Sequence, residues 1–162
     1  MAQEPEYIYP PNTLKSKVTV DGSKIDAVAL KKAEMAIEDM QDDYFGWVKD
    51  DLANLTSSYE KAKSSPENWE EIQEDLYGFA HDVKGQGSSF GYPLMTAVAN
   101  QLCVFMKGIE GKLSEVQLDA VKVHIDTMKL VVTQKMAGEG GPAGEQLLKG
   151  LDAVIAKVTG KA

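Results

Sequence analysis

The stretch Phe79-Ala-His-Asp-Val-Lys-Gly-Gln-Gly-Ser-Ser-Phe-Gly91 decides how this chain folds. Apolar residues lead into it at steps of four, three and four, which is typical of the buried stripe of one helix; they are Ile72, Leu76, Phe79 and Val83. The same rhythm continues to Gln86 and Phe90. At about 100° per residue in an α-helix, His81 points away from this stripe. The pattern therefore predicts an imidazole that faces solvent.

The outward face of the predicted helix has an unusual composition. It carries Tyr77, Lys84 and Ser88 beside His81, with glycines at or near the same face. A glycine inside a helix is less favourable than alanine by roughly 0.5–1 kcal/mol, yet Gly78, Gly85 and Gly87 all fall in this short segment. Bare backbone on a solvated face indicates close approach by another molecule. We interpret His81 as a sterically open nucleophile, with Lys84 placed to neutralise an anion attached to it.

The segment His81-Asp-Val-Lys84-Gly85-Gln-Gly-Ser-Ser-Phe90-Gly91-Tyr-Pro-Leu94 resembles the phosphorylation motif of histidine-containing phosphotransfer (HPt) domains. That motif reads roughly His-x-Leu-Lys-Gly, then small residues, then a hydrophobic residue and Gly-x-x-Leu. The resemblance implies that His81 accepts the phosphoryl group, that Lys84 stabilises it and that Gly85 gives a receiver domain access. Two departures are visible: Val83 replaces the usual Leu, and Gln101-Leu-Cys103 stands where many members have a Leu-Glu pair.

The predicted fold class is all-α, because no useful length of the chain alternates with a period of two. The resemblance and the helical spacing imply an antiparallel four-helix bundle with additional flanking helices. We expect an extended arm over residues 1–22, which Pro5, Pro10 and Pro11 interrupt, and one domain over residues 23–162. Its core is expected at about 43–137, with an extra C-terminal helix at about 143–159.

Local signals predict where these helices begin and end. Ser23 and Ser65 are predicted N-caps, and Ser114-Glu-Val-Gln117 fits a capping box. The first two apolar patterns form either one bent helix or two helices that meet at Asp42-Asp43. Further breaks are expected at 91–93, 108–111 and 138–142.

Composition limits the classes of function. The net charge is −8, and the 17 basic residues are all lysines, so a nucleic-acid partner is not expected. The single cysteine, Cys103, cannot form an internal disulfide, which favours a reducing compartment; we interpret it as a small buried hydrophobe. The acidic start of the chain predicts no signal peptide, and no apolar run approaches the ~18 residues of a membrane helix. We expect a monomeric, cytoplasmic protein without a membrane partner.

Other chemistries fit the sequence less well. His124 lies at the edge of an apolar stripe and is interpreted as a packed boundary residue. Neither histidine follows a Glu at the spacing that di-iron bundles use, and no zinc-ligand spacing is present. The glycines after Lys84 are not followed by the Gly-Lys-Ser/Thr of a phosphate-binding loop. A sensor-kinase dimerisation helix would carry Thr or Asn where Gly85 stands.

The resemblance implies a phosphorelay intermediate that is a phosphoryl carrier and not an enzyme with its own ATP site. His81 would accept the phosphoryl group from a receiver-domain aspartate or a kinase and pass it to another receiver domain. The partners would be response-regulator receivers and an upstream hybrid sensor histidine kinase. No cofactor of its own is expected, and Mg²⁺ would belong to the receiver. The expected docking residues are Tyr77, Gly78, Gly85, Gly87, Ser88 and Ser89. The alternative is a scaffold or inhibitor that binds a kinase or receiver without carrying phosphate.

Overall fold

A computed structural model describes residues 27–160, apart from the side chains of residues 37–39, 41, 42 and 66. Over this range the secondary structure consists of five α-helices and two short 3-10 helices, without a strand. The predicted all-α class is therefore confirmed for the described residues. The predicted arm over 1–22 and the predicted cap at Ser23 lie outside them.

The helices follow one another with short connections. They are α1 (Ala27–Ser64), α2 (Trp69–Gly87), α3 (Pro93–Lys107), α4 (Glu115–Thr133) and α5 (Gly141–Thr159). The 3-10 helices Pro66–Asn68 and Ser88–Phe90 stand immediately before and after α2. Helix α1 continues through Asp42-Asp43, so the prediction of one helix holds and the alternative of two is wrong.

The chain divides into two compact units, Met1–Ala36 and Ile37–Ala162. The described part of the first unit is the beginning of α1, residues 27–36, and its side chains are exposed. The second unit contains the hydrophobic core and all the residues discussed below.

Four helices supply most of the core of the second unit. The buried side chains recur at helical spacing, and the fully buried ones include Tyr44, Val48 and Leu55 of α1, Leu76, Ala80 and Val83 of α2, Leu94, Val98 and Leu102 of α3, and Val121, Met128 and Val131 of α4. Helix α5 contributes less. Leu151 is buried, and Leu148, Val154, Ile155 and Val158 are partly buried against the core.

Two of the predicted caps have different outcomes. The capping box before α4 is confirmed, because the backbone N–H of Ser114 donates to Gln117 Oε1 at 2.8 Å and the Gln117 N–H donates to Ser114 Oγ at 3.4 Å. Ser65 stands at the predicted N-cap position before Pro66, but its side chain makes no capping hydrogen bond. A 3-10 turn fills the place where an α-helical first turn was expected.

The connection between α2 and α3 fixes the C-terminal end of α2. Gly91 has φ 84°, in the left-handed region that glycine adopts without steric penalty. The Tyr92 N–H donates to the Gly87 carbonyl at 2.8 Å, and the ring of Tyr92 stacks on that of Tyr44 with centroids 5.4 Å apart. Phe90 also stacks on Tyr44, at 4.9 Å. The aromatic contacts thus hold the turn against α1.

Candidate functional site

His81 lies on the exposed face of α2, as the helical spacing predicts. Its ring is exposed, whereas Ala80 and Val83 on the opposite face are fully buried. The predicted stripe is largely correct, although Phe79 is only half-buried and Ala80 takes its place in the core. An exposed imidazole on a helix that is anchored along its other side is accessible to a macromolecular partner.

An aromatic ring stacks on His81, and a lysine of α3 contacts that ring. The rings of Tyr77 and His81 are stacked, with centroids 5.8 Å apart and an interplanar angle of 30°. The Lys107 Nζ lies 5.1 Å from the centroid of the Tyr77 ring. A hydrogen bond with Tyr77 raises the pKa of Lys107, so the ammonium form is favoured. Lys107 thus contacts the ring that packs on His81.

Thr96 of α3 interrupts the hydrogen bonds at the end of α2. Its hydroxyl accepts from the Ser88 N–H at 2.8 Å and donates to the Lys84 carbonyl at 3.0 Å. In a regular helix that N–H and that carbonyl would bond to each other. The inserted hydroxyl coincides with the change from α2 to the 3-10 helix that begins at Ser88. Helix α3 therefore holds the backbone of Lys84 through the hydrogen bond to its carbonyl. Lys84 itself is half-buried.

The three glycines near His81 serve two different purposes. A Cβ added at Gly78 or Gly85 would meet no atom within 4 Å, so another molecule has room to approach the backbone at half-buried Gly78 and at exposed Gly85. A Cβ at Gly87 would lie 2.6 Å from Thr96 Oγ1 and 2.9 Å from the Tyr92 carbonyl oxygen. Gly87 is buried, so its predicted place on the exposed docking face is wrong; it is glycine because α3 approaches too closely for a side chain. Ser88 and Ser89 are exposed as expected.

The opposite flank of α2 is acidic. The Gln86 Nε2 donates to Asp51 Oδ2 of α1 at 3.3 Å. Burial raises the pKa of Asp51, and the nearby carboxylates of Asp82 and Asp50 raise it further. His81 therefore lies between a flank that carries Lys84 and Lys107 and a flank that carries Asp50, Asp51 and Asp82.

His124 and Cys103 are core residues. His124 was predicted at the boundary of the apolar face, but it is fully buried. Its Nδ1 bonds to the Ala120 carbonyl at 2.7 Å, and its Nε2 has no hydrogen-bond partner among the described residues. Burial lowers the pKa of His124. Cys103 is buried as predicted, and burial raises the pKa of its thiol.

Comparison with known proteins identifies no relative: no protein-family model, curated protein or solved structure matches this chain. Across residues 27–160 no group of three or more histidine, cysteine or acidic side chains could hold a metal ion. None of the described helices is long and apolar enough to cross a membrane.

Sequence reasoning missed two residues of this site, Thr96 and Lys107. Both act on α2 from α3, and their partners Ser88 and Tyr77 are far from them along the chain. A threonine and a lysine at these places carry no local signal, because their importance depends on which helix α3 packs against.

Proposed function

We propose that this protein is a histidine phosphotransfer protein of a phosphorelay. It accepts a phosphoryl group on His81 from the aspartate of a receiver domain, or from a kinase, and passes it to another receiver domain. The observation that carries the proposal is the exposed His81 ring on an anchored helix, with open backbone at Gly78 and Gly85. That the reaction is a phosphoryl transfer is inferred from the sequence motif around His81, which resembles the motif of HPt domains.

The proposal includes the helix arrangement of HPt domains. In it, the second unit's portion of α1 together with α2, α3 and α4 forms an antiparallel four-helix bundle, and α5 is an additional helix. Packing supports this arrangement: α2 packs on α3, α3 on α4, and the α1 residue Leu52 lines a groove with Val132 of α4. The short connections between α2, α3 and α4 favour antiparallel neighbours.

The transfer step needs a nucleophile, room and a cation. A lone pair on one ring nitrogen of neutral His81 attacks phosphorus while the bond from phosphorus to the receiver's aspartate breaks. The bonding electrons leave with the aspartate carboxylate, and the proton on the other ring nitrogen of His81 stays in place. Lys84 neutralises charge on the transferring group. Such reactions depend mainly on positioning and electrostatic stabilisation, and Mg²⁺ belongs to the partner receiver.

Tyr77 and Thr96 serve this step by positioning. Tyr77 packs on the imidazole and restricts its rotation, with centroids 5.8 Å apart. Thr96 holds the Lys84 carbonyl at 3.0 Å and so fixes the turn from which the lysine side chain extends. Fixing both groups before the partner arrives reduces the entropy that must be lost in the complex.

Labelling tests the proposal. The protein is incubated with a panel of isolated receiver domains that have been phosphorylated with acetyl phosphate. We expect phosphate to appear on the protein in an acid-labile, base-stable form, to map to the peptide containing His81, and to be absent in His81→Gln. A His81→Gln protein that keeps the label would refute the proposal. If a receiver binds wild-type protein but no phosphate is transferred, the scaffold function replaces it.

A further inference from the structure

The face of α2 around His81 has positive charges on one side and negative charges on the other. At about 100° per residue, Tyr77 and Lys84 lie on one side of His81, and Gly78, Gly85 and Asp82 lie on the other. The contacts of α2 agree with this division. Tyr77 meets Lys107 of α3, whereas Gln86, beyond Asp82, bonds to Asp51 of α1.

The flank toward α3 is cationic. Lys84 lies on this side of α2 by the helix angle. Lys107 is the last residue of α3, and its Nζ stands 5.1 Å from the centroid of the Tyr77 ring on the same side. Glu74 lines a small groove with Tyr77 and Lys107, but no ion pair joins Glu74 to Lys107 within the described residues. Within the described residues no carboxylate therefore neutralises the charge of Lys107.

The flank toward α1 is anionic. Asp82 is exposed, and its charge raises the pKa of nearby Asp51. Asp50 adds a third carboxylate next to Asp51 in sequence. Within the described residues none of these three carboxylates forms an ion pair with a lysine. This flank would repel a phosphoryl group and attract basic side chains.

We propose that this division fixes the orientation of the docked receiver domain, with its phosphoryl-bearing edge toward Lys84 and Lys107 and a basic edge toward Asp51 and Asp82. The inference rests on the proposed function and adds to it the kind of receiver that fits. The matching partner carries lysine or arginine side chains on one flank of its phosphorylated aspartate. Charge complementarity of this kind acts mainly on the rate of association and on the choice of partner.

Charge reversals at the two flanks test the orientation. Lys107→Glu and Asp82→Lys are compared with Lys149→Glu on α5 and Asp119→Lys on α4, which make the same changes of charge on other helices. The measured quantity is the second-order rate constant of phosphoryl transfer to His81, from a receiver that labels the wild-type protein, at low and high salt. We expect Lys107→Glu and Asp82→Lys each to lower this constant by about tenfold at low salt. High salt should reduce the difference, and the two controls should stay within about twofold of wild type.

The double variant Lys107→Glu, Asp82→Lys separates orientation from total charge, because its net charge is again −8. With both flanks reversed, it should transfer more slowly than either single variant. Recovery to the wild-type rate, or equal effects of Lys107→Glu and Lys149→Glu, would show that only total charge matters and would overturn the inference. A wild-type protein that no receiver labels would instead refute the proposed function itself.

Discussion

Adding the same methyl group at different glycines of this fold should change stability in opposite directions. At Gly78 an added Cβ would meet no atom within 4 Å. The backbone there is in the interior of α2, where alanine is more favourable than glycine by about 1 kcal/mol. Gly78→Ala should therefore stabilise the protein by up to about that amount. Gly150→Ala is the matched control, since Gly150 lies within α5 and also has open space around it.

Gly87→Ala should destabilise the protein. Its Cβ would lie 2.9 Å from the backbone N of Thr96 and 2.9 Å from the Tyr92 carbonyl oxygen, so α2 and the start of α3 would have to separate. Overpacking of this kind costs about 1–3 kcal/mol. Gly87 is the last residue of α2, where the gain in helix propensity is small. The free energies of unfolding of Gly78→Ala and Gly87→Ala should thus differ by about 2–4 kcal/mol.

Urea unfolding followed by far-ultraviolet circular dichroism measures this difference. With a slope of about 2 kcal/mol per molar urea, the two midpoints should be separated by roughly 1–2 M. The steric argument is refuted if Gly87→Ala unfolds at the wild-type midpoint or above it. It is equally refuted if Gly78→Ala loses stability while Gly150→Ala gains it.

The remaining predictions concern single side chains. Thr96→Val should lower the free energy of unfolding by about 1–3 kcal/mol, because the Ser88 N–H and the Lys84 carbonyl each lose a hydrogen bond to the Thr96 hydroxyl. Thr96→Ser keeps a hydroxyl and should retain most of the wild-type stability, and an equal loss of stability in both variants would contradict this role. The pKa of buried His124 is lowered, so the unfolded state takes up the proton first and stability should fall as the pH drops below about 6.5. Urea titrations at several pH values should show a weaker dependence of stability on pH in His124→Leu. An unchanged dependence would show that His124 is not its cause. Burial raises the pKa of Tyr44 to about 12, so stability should fall as the pH rises from about 10 toward that value. Tyr44→Phe should remove this loss of stability. A loss of stability at alkaline pH that persists in Tyr44→Phe would have to come from another group.

The sequence was sufficient for the helices and for the direction of His81, because both depend on local periodicity. The stripe that contains Leu76 and Val83 fixes which side of α2 is buried, and the imidazole position follows from the helix angle alone. The same reasoning identified the capping box at Ser114, whose two partners are three residues apart.

Predictions failed where distant parts of the chain decide the outcome. His124 stands at the edge of an apolar stripe in sequence, but the packing of the helices leaves its ring fully buried. Gly87 resembles Gly85 in sequence, yet only Gly87 faces α3. The apolar residues of α5 repeat regularly, but Leu151 is its one buried large apolar side chain.

The contrast between Gly85 and Gly87 also bears on function. Packing explains Gly87, because a side chain there would force α3 away from α2. Nothing in the described structure requires a missing side chain at Gly85, where an added methyl group would be solvated and should not reduce stability. If open backbone serves docking, Gly85→Ala should leave stability unchanged or higher but slow phosphoryl transfer to His81, whereas Gly150→Ala should leave the transfer rate unchanged. A Gly85→Ala protein that is labelled at the wild-type rate would show that the partner does not approach the backbone at this position.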